Sequence, residues 1–90
     1  MTISELKKTG RITQDHIDSL VASEKFERIG PKTTLCLLTL VNGFEIVGTS
    51  GVVNPDNYDA TIGNSIAKEN AIEKIWELEG YRLQWLLHEK

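Results

Sequence analysis

Residues 33–49 read TTLCLLTLVNGFEIVGT, and this stretch decides the fold. Thr33 to Val41 is dense in β-branched and apolar residues, and Phe44 to Thr49 resumes the pattern. Between them stands Asn42-Gly43, the strongest short hairpin signal, because a type I′ turn needs positive φ at both central positions. A two-residue turn sets Val41 opposite Phe44, Thr39 opposite Ile46 and Leu37 opposite Gly48. Leu40, Leu38 and Cys36 then share the other face with Glu45, Val47 and Thr49. Both faces are largely apolar, so one packs on helices and the other needs a second cover. An isolated hairpin also has two open edges, and edges this apolar invite pairing.

Upstream, the chain predicts a short helix. Thr13 is a good N-cap, Asp15 suits the helix dipole, and Ile12 and Ile17 stand at hydrophobic-staple spacing. Ile17, Leu20, Val21 and Phe26 make one apolar face, and Gly30-Pro31 closes the segment. A helical turn over Ser4 to Lys8 is a weaker expectation. Downstream, Gly48 to Asn64 is polar, with a turn at Asn54-Pro55-Asp56-Asn57 and a third short strand open at Val52-Val53. Asp59 is an N-cap for a long helix running from about Ala60 or Asn64 to about His88, with Gly80 as a bend point. On that helix Ala67, Ala71, Ile75, Leu78 and Trp85 share one side. Ile72, Trp76, Leu83 and Leu87 lie nearly opposite, and Glu73, Glu77 and Glu79 read as a solvated polar face. The expected architecture is therefore α+β: a short N-terminal helix, an antiparallel hairpin and a long C-terminal helix. One apolar stripe should serve the chain's own core and the other a contact with a second copy, which makes a homo-oligomer the expectation.

Composition narrows the function. Ninety residues make one domain, 1–90, with a thin core. Lys plus Arg is 10 and Asp plus Glu 13, a net charge of −3. That balance argues against broad binding to a nucleic-acid backbone, which needs a basic face. The small basic group Lys7, Lys8 and Arg11 reads as solvated surface. No apolar run approaches the roughly 20 residues of a membrane span. The N-terminus has no apolar core of a signal peptide. The single Cys36 cannot form an internal disulfide, which fits a reducing cytoplasm, and it reads as a small core residue. His16 and His88 have no ligand-spaced neighbours, so no metal site is expected. No nucleophile comes with a recognisable base, and no cofactor motif is present, so the chain reads as a non-enzyme.

The candidate binding site is the polar loop and the start of the long helix. Thr49, Ser50, Asn57 and Asn64 offer directional hydrogen bonds, and Tyr58 offers a stacking face. Helix N-termini suit phosphate; Lys68 lies one to two turns further on, and Arg28 and Lys32 flank the hairpin entry within reach. The ordinary account of the same residues is a polar turn and a helix cap, with Tyr58 plugging the core edge.

Several segments resemble a known family. The residues are Lys32 to Cys36, Leu38-Thr39-Leu40, Asn42-Gly43-Phe44, Val47-Gly48, Ser50, Tyr58-Asp59, Gly63, Ala67, Ala71, and the string KIWELEGY at 74–81. Over roughly residues 30–83 the chain is similar to small, mostly uncharacterised accessory proteins of tailed bacteriophages and prophages. The family supplies no catalytic residues to carry over. What the resemblance implies is context: a phage protein acting in the host cytoplasm, on a host system. In that context two kinds of binding are expected. One is sequestration of a nucleotide second messenger of host defence, such as a cyclic dinucleotide or an ADP-ribose derivative. The other is direct inhibition of a host protein. A structural role in the virion is a third and weaker expectation.

Overall fold

A computed structural model describes residues 8–88 of the chain. A short helix α1 (Gln14–Ser19) leads into three strands, β1 (Val21–Arg28), β2 (Thr33–Leu40) and β3 (Glu45–Gly51). A single 3-10 turn at Pro55–Asn57 precedes the long helix α2 (Ala60–His88). The strands form one antiparallel sheet in the order β1-β2-β3, and α2 packs across one face of it, mainly on β3 and β2. The expected turn at Ser4 to Lys8 falls on residues 1–7, outside the described residues, but for its last position.

The N-terminal helix starts as its sequence dictates: the Thr13 side chain caps it, accepting from the His16 N–H at 3.2 Å. It then stops far short of Gly30. Val21 and Phe26, expected on the apolar face of that helix, belong to β1 instead, and Val21–Arg28 pairs with β2 from Val21↔Leu40 to Arg28↔Thr34. Local preference in ASEKFER is compatible with a helix. The unpaired ladder of β2 outweighs it, because a buried strand with one open edge leaves backbone groups unsatisfied. The third strand therefore precedes the hairpin. Val52-Val53 is not a strand, although the Val52 N–H extends the hairpin ladder by donating to the Lys32 carbonyl at 2.9 Å.

The hairpin exists, but its register is one residue away from the two-residue-turn expectation. Thr39 faces Glu45, Leu38 faces Ile46 and Cys36 faces Gly48. The Leu40 N–H donates to the Phe44 carbonyl at 2.8 Å, so the loop holds three residues, Val41-Asn42-Gly43. Of these three, only Gly43 has positive φ, at 89°. This is the turn-plus-bulge geometry of three-residue hairpin loops, which needs one left-handed residue rather than two. A one-residue shift reassigns the faces. Cys36 and Leu38 now share the helix-covered face with Ile46 and Gly48, all buried, while Leu35, Leu37 and Val47 share the open face. Replacing Gly43 by Val should cost more than about 1 kcal/mol, since a β-branched side chain resists positive φ. Urea denaturation measures it, and an unchanged midpoint would refute the turn geometry.

The core is one cluster: Ile17 from α1, Cys36, Leu38 and Ile46 from the sheet, and Ala67, Ala71 and Ile75 from α2. Ile72 and Trp76 pack at its margin. The two stripes expected on α2 are thus flanks of one buried arc. Leu78 and Trp85 are half exposed rather than core, and Leu83 is buried within the chain. The helix runs unbroken through Gly80. Gly48 allows the close seating of α2, because a Cβ there would lie 2.2 Å from the Ala67 carbonyl oxygen and 2.4 Å from the Ala71 nitrogen.

Candidate functional site

At the end of the sheet where α2 begins, the polar loop folds back on β2. Tyr58 lies just past the 3-10 turn, and its hydroxyl shares a 2.8 Å hydrogen bond with buried Thr34. The Arg28 guanidinium, from the end of β1, stacks on the Tyr58 ring at 3.8 Å from its centroid. Two further bonds fix it, from Nε to the Gly30 carbonyl at 3.2 Å and from a terminal nitrogen to the Pro31 carbonyl at 2.7 Å. No carboxylate pairs with Arg28 among the described residues. Cation and ring are mutually attractive, and the planar guanidinium is pre-organised. Ser50 donates to the Gly63 carbonyl at 2.7 Å and ties β3 to the first turn of α2. Between these groups lies a cavity of about 50 Å³, lined by Lys32, Thr34, Ser50, Asn57, Tyr58 and Ile62.

The structure gathers four of the seven candidate residues here: Arg28, Ser50, Asn57 and Tyr58. It does not gather the others. The Thr49 side chain belongs to the open face of the sheet, and its carbonyl accepts from the Asn70 amide at 2.7 Å. Asn64 is half-buried and lines neither this cavity nor the next. Lys68 lies on the other flank of α2, in an ion pair with Glu24 of β1 at 2.7 Å. That bond holds its ammonium pKa above the ordinary value. The groove there, about 430 Å³, is lined by Gln14, Asp18, Lys68, Ile72 and Trp76 among others. The expected phosphate seat at the helix N-terminus is also altered, because Asp59 already accepts from the N–H groups of Thr61 (2.9 Å) and Ile62 (3.2 Å). A carboxylate on those donors occupies the place an anion would take.

Sequence reasoning missed a second polar cluster. Buried His16 meets Glu79 at 2.7 Å through Nε2, and Arg82 grips the same carboxylate with two bonds of 2.9 and 2.7 Å. Glu79, taken above as solvated, is 11% exposed. Its carboxyl is held below the ordinary range, first by Arg82 and then, against the cost of burial, by His16. The spacing Glu79-x-x-Arg82 was a readable signal for the i,i+3 pair. Nothing local pointed to His16, which lies 63 residues away. Cys36 is fully buried, and burial pushes its thiol above the ordinary value, away from the reactive thiolate. No group of side chains among the described residues could hold a metal ion. No helix among them is long and apolar enough to cross a membrane.

A long helix seated on a three-stranded antiparallel sheet, with a cationic–aromatic cluster where the helix begins, defines a small α+β protein. The chain belongs to the Phage protein (N4 Gp49/phage Sf6 gene 66) family, which it matches over residues 12–87. The family likeness thus begins well before residue 30 and takes in α1 and β1. No curated protein and no solved structure matches the chain.

Proposed function

We propose that this phage-family protein acts by binding rather than catalysis, as a counter to host anti-phage defence that sequesters a phosphate-bearing nucleotide signal without turning it over. The observation that carries the reading is the Arg28–Tyr58 stack. In a chain of net charge −3, a guanidinium that has no carboxylate partner among the described residues lies on an aromatic face, with Lys32 lining the cavity beside it. Charge attracts a phosphate, the ring face turned away from Arg28 is the surface for a base, and the Asn57 amide, with the accepting oxygen of Ser50, fixes orientation. A cavity of about 50 Å³ holds a few waters. Sites that enclose a small molecule run to roughly 300–1,000 Å³. The nucleotide reading therefore requires a second copy of the chain to complete the walls.

Calorimetry against cyclic di- and trinucleotides and cyclic ADP-ribose isomers tests it. One of them should bind with a Kd below about 10 μM, or some −7 kcal/mol. Arg28→Ala and Tyr58→Ala should each weaken that binding at least tenfold, while Glu73→Ala should not. Heating the complex should release the ligand intact. A panel that shows no binding removes this reading in favour of the second, direct inhibition of a host protein. The second reading draws on Phe44, Leu78, Tyr81 and Trp85, which are 46–65% exposed along one flank of the molecule. Exposed aromatic residues in number are a common mark of protein-binding surfaces.

A further inference from the structure

We infer that β1 pairs with β1 of a second copy, antiparallel about a two-fold axis at Phe26, joining two sheets into one of six strands. The hydrogen-bond pattern determines which groups are available. The Ile29 N–H donates to the Thr33 carbonyl, and the β1–β2 register runs Lys25↔Leu37 and Glu27↔Leu35. The backbone groups of residues 25, 27 and 29 therefore point at β2. Those of Glu24, Phe26 and Arg28 alternate with them and point outward. Among the described residues no strand pairs with this edge, and along it every residue from 22 to 28 is exposed except half-buried Phe26.

Edge strands are usually protected by charge, and β1 carries Glu24, Lys25, Glu27 and Arg28. Their order makes them self-complementary. With Phe26 opposite Phe26, Lys25 meets Glu27 of the partner subunit, twice by symmetry, while Glu24, which keeps its ion pair with Lys68, stands across from Arg28 of the partner subunit. The outward groups then form three bonded pairs, with about six backbone hydrogen bonds. The neighbouring registers that keep outward groups facing each other set Lys25 against Lys25 or Glu27 against Glu27. Like charges directly opposite are destabilising. The β3 edge is unsuited to the same use, since Asn70 and Lys74 of α2 already donate to its outward carbonyls, Thr49 and Val47.

The packing of α2 fits this arrangement. The long helix covers β3 and β2, and the groove between it (Lys68, Ile72, Trp76) and α1 (Gln14, Asp18) lies on the side toward β1, where Lys68 meets Glu24. In the pair, both long helices lie on the same face of the six-stranded sheet. Arg28 of the partner subunit comes beside the Glu24–Lys68 pair, which sets two basic groups against one carboxylate and leaves a local excess of positive charge that one chain lacks. The pairing itself does not depend on a nucleotide.

Lys25 and Glu27 make no ion pair within the chain among the described residues, so they can be changed without disturbing the protomer. Sedimentation at micromolar concentration should show a dimer for the wild type. Lys25→Glu and Glu27→Lys should each raise the dimer dissociation constant at least tenfold, because each puts two like-charged pairs across the axis. An equimolar mixture of the two variants should dimerise again, since every cross-strand pair is then of opposite sign. A monomeric wild type, a dimer that both variants leave intact, or a mixture no tighter than its components overturns the inference. Nucleotide calorimetry reads the other proposal separately.

Discussion

Gly48→Ala should unseat the long helix and destabilise the protein by about 3 kcal/mol or more, the upper end of overpacking effects. Gly48 is buried at the centre of β3, and its missing side chain is the space that α2 occupies. A Cβ at this position would lie 2.2 Å from the Ala67 carbonyl oxygen, 2.4 Å from the Ala71 nitrogen and 2.8 Å from the Ala71 Cα. All three are backbone atoms of a regular helix, so no side-chain rotation relieves the contact. The whole helix must lift, which opens the contacts of Ile75 and Ile46 as well. Thermal unfolding should fall by more than about 12 °C, given 4–8 °C per kcal/mol in a domain of this size. Two controls isolate the cause. Gly51→Ala, on the same strand, meets only the Lys32 carbonyl at an ordinary 3.5 Å and should be near neutral. Adding Ala71→Gly to Gly48→Ala should not restore stability, because the clash is with the backbone that remains. A Gly48→Ala protein as stable as the wild type would mean that the helix does not rest on this glycine.

The second large effect belongs to Glu79. Glu79→Gln keeps the shape of the side chain but removes the charge that joins Arg82 and buried His16. The expected loss at neutral pH is about 1–3 kcal/mol, the range for leaving buried polar partners imperfectly satisfied. The sign of the pH dependence follows from the lowered folded-state pKa of Glu79. Its contribution is fully present above the unfolded carboxyl's ordinary value of 4.5 and is lost as pH falls through the lower folded value. Wild type and variant should therefore differ most near neutrality and begin to converge as pH falls below 4.5, as read by urea midpoints across that range. Parallel curves down to pH 3 would show that this carboxylate does not stabilise the folded state by its charge. The cluster anchors α1 to α2 where the long helix passes the β2–β3 loop, near Leu40 and Asn42.

The candidate site was half legible. Tyr58 with Arg28, and Ser50 with Asn57, could be nominated from residue type and their place around a polar loop. The stack itself could not, because it depends on β1 ending beside β2 at Thr34, and β1 reads locally as helix. Lys68 was nominated for its place one to two turns into α2. Its partner Glu24 sits on a strand that the local pattern hid. The seating of α2 had a readable signal in a glycine mid-strand and two alanines four apart on the helix, since small residues on both sides permit close approach.

Sequence alone determined the α+β class, the Thr13 and Asp59 caps, the hairpin around Asn42-Gly43, and the span of the long helix. These are local matters: a cap needs one oxygen near its own turn, a turn needs a residue tolerant of positive φ, and periodicity shows within a few turns. Only the tertiary structure decided that Val21–Arg28 is a strand, that the hairpin loop holds three residues, and which flank of α2 is core. Each of those choices compares conformations of similar local energy. The balance is tipped by groups far off in the chain: the open ladder of β2, the fit of α2 over Gly48, and the meeting of His16 with Glu79.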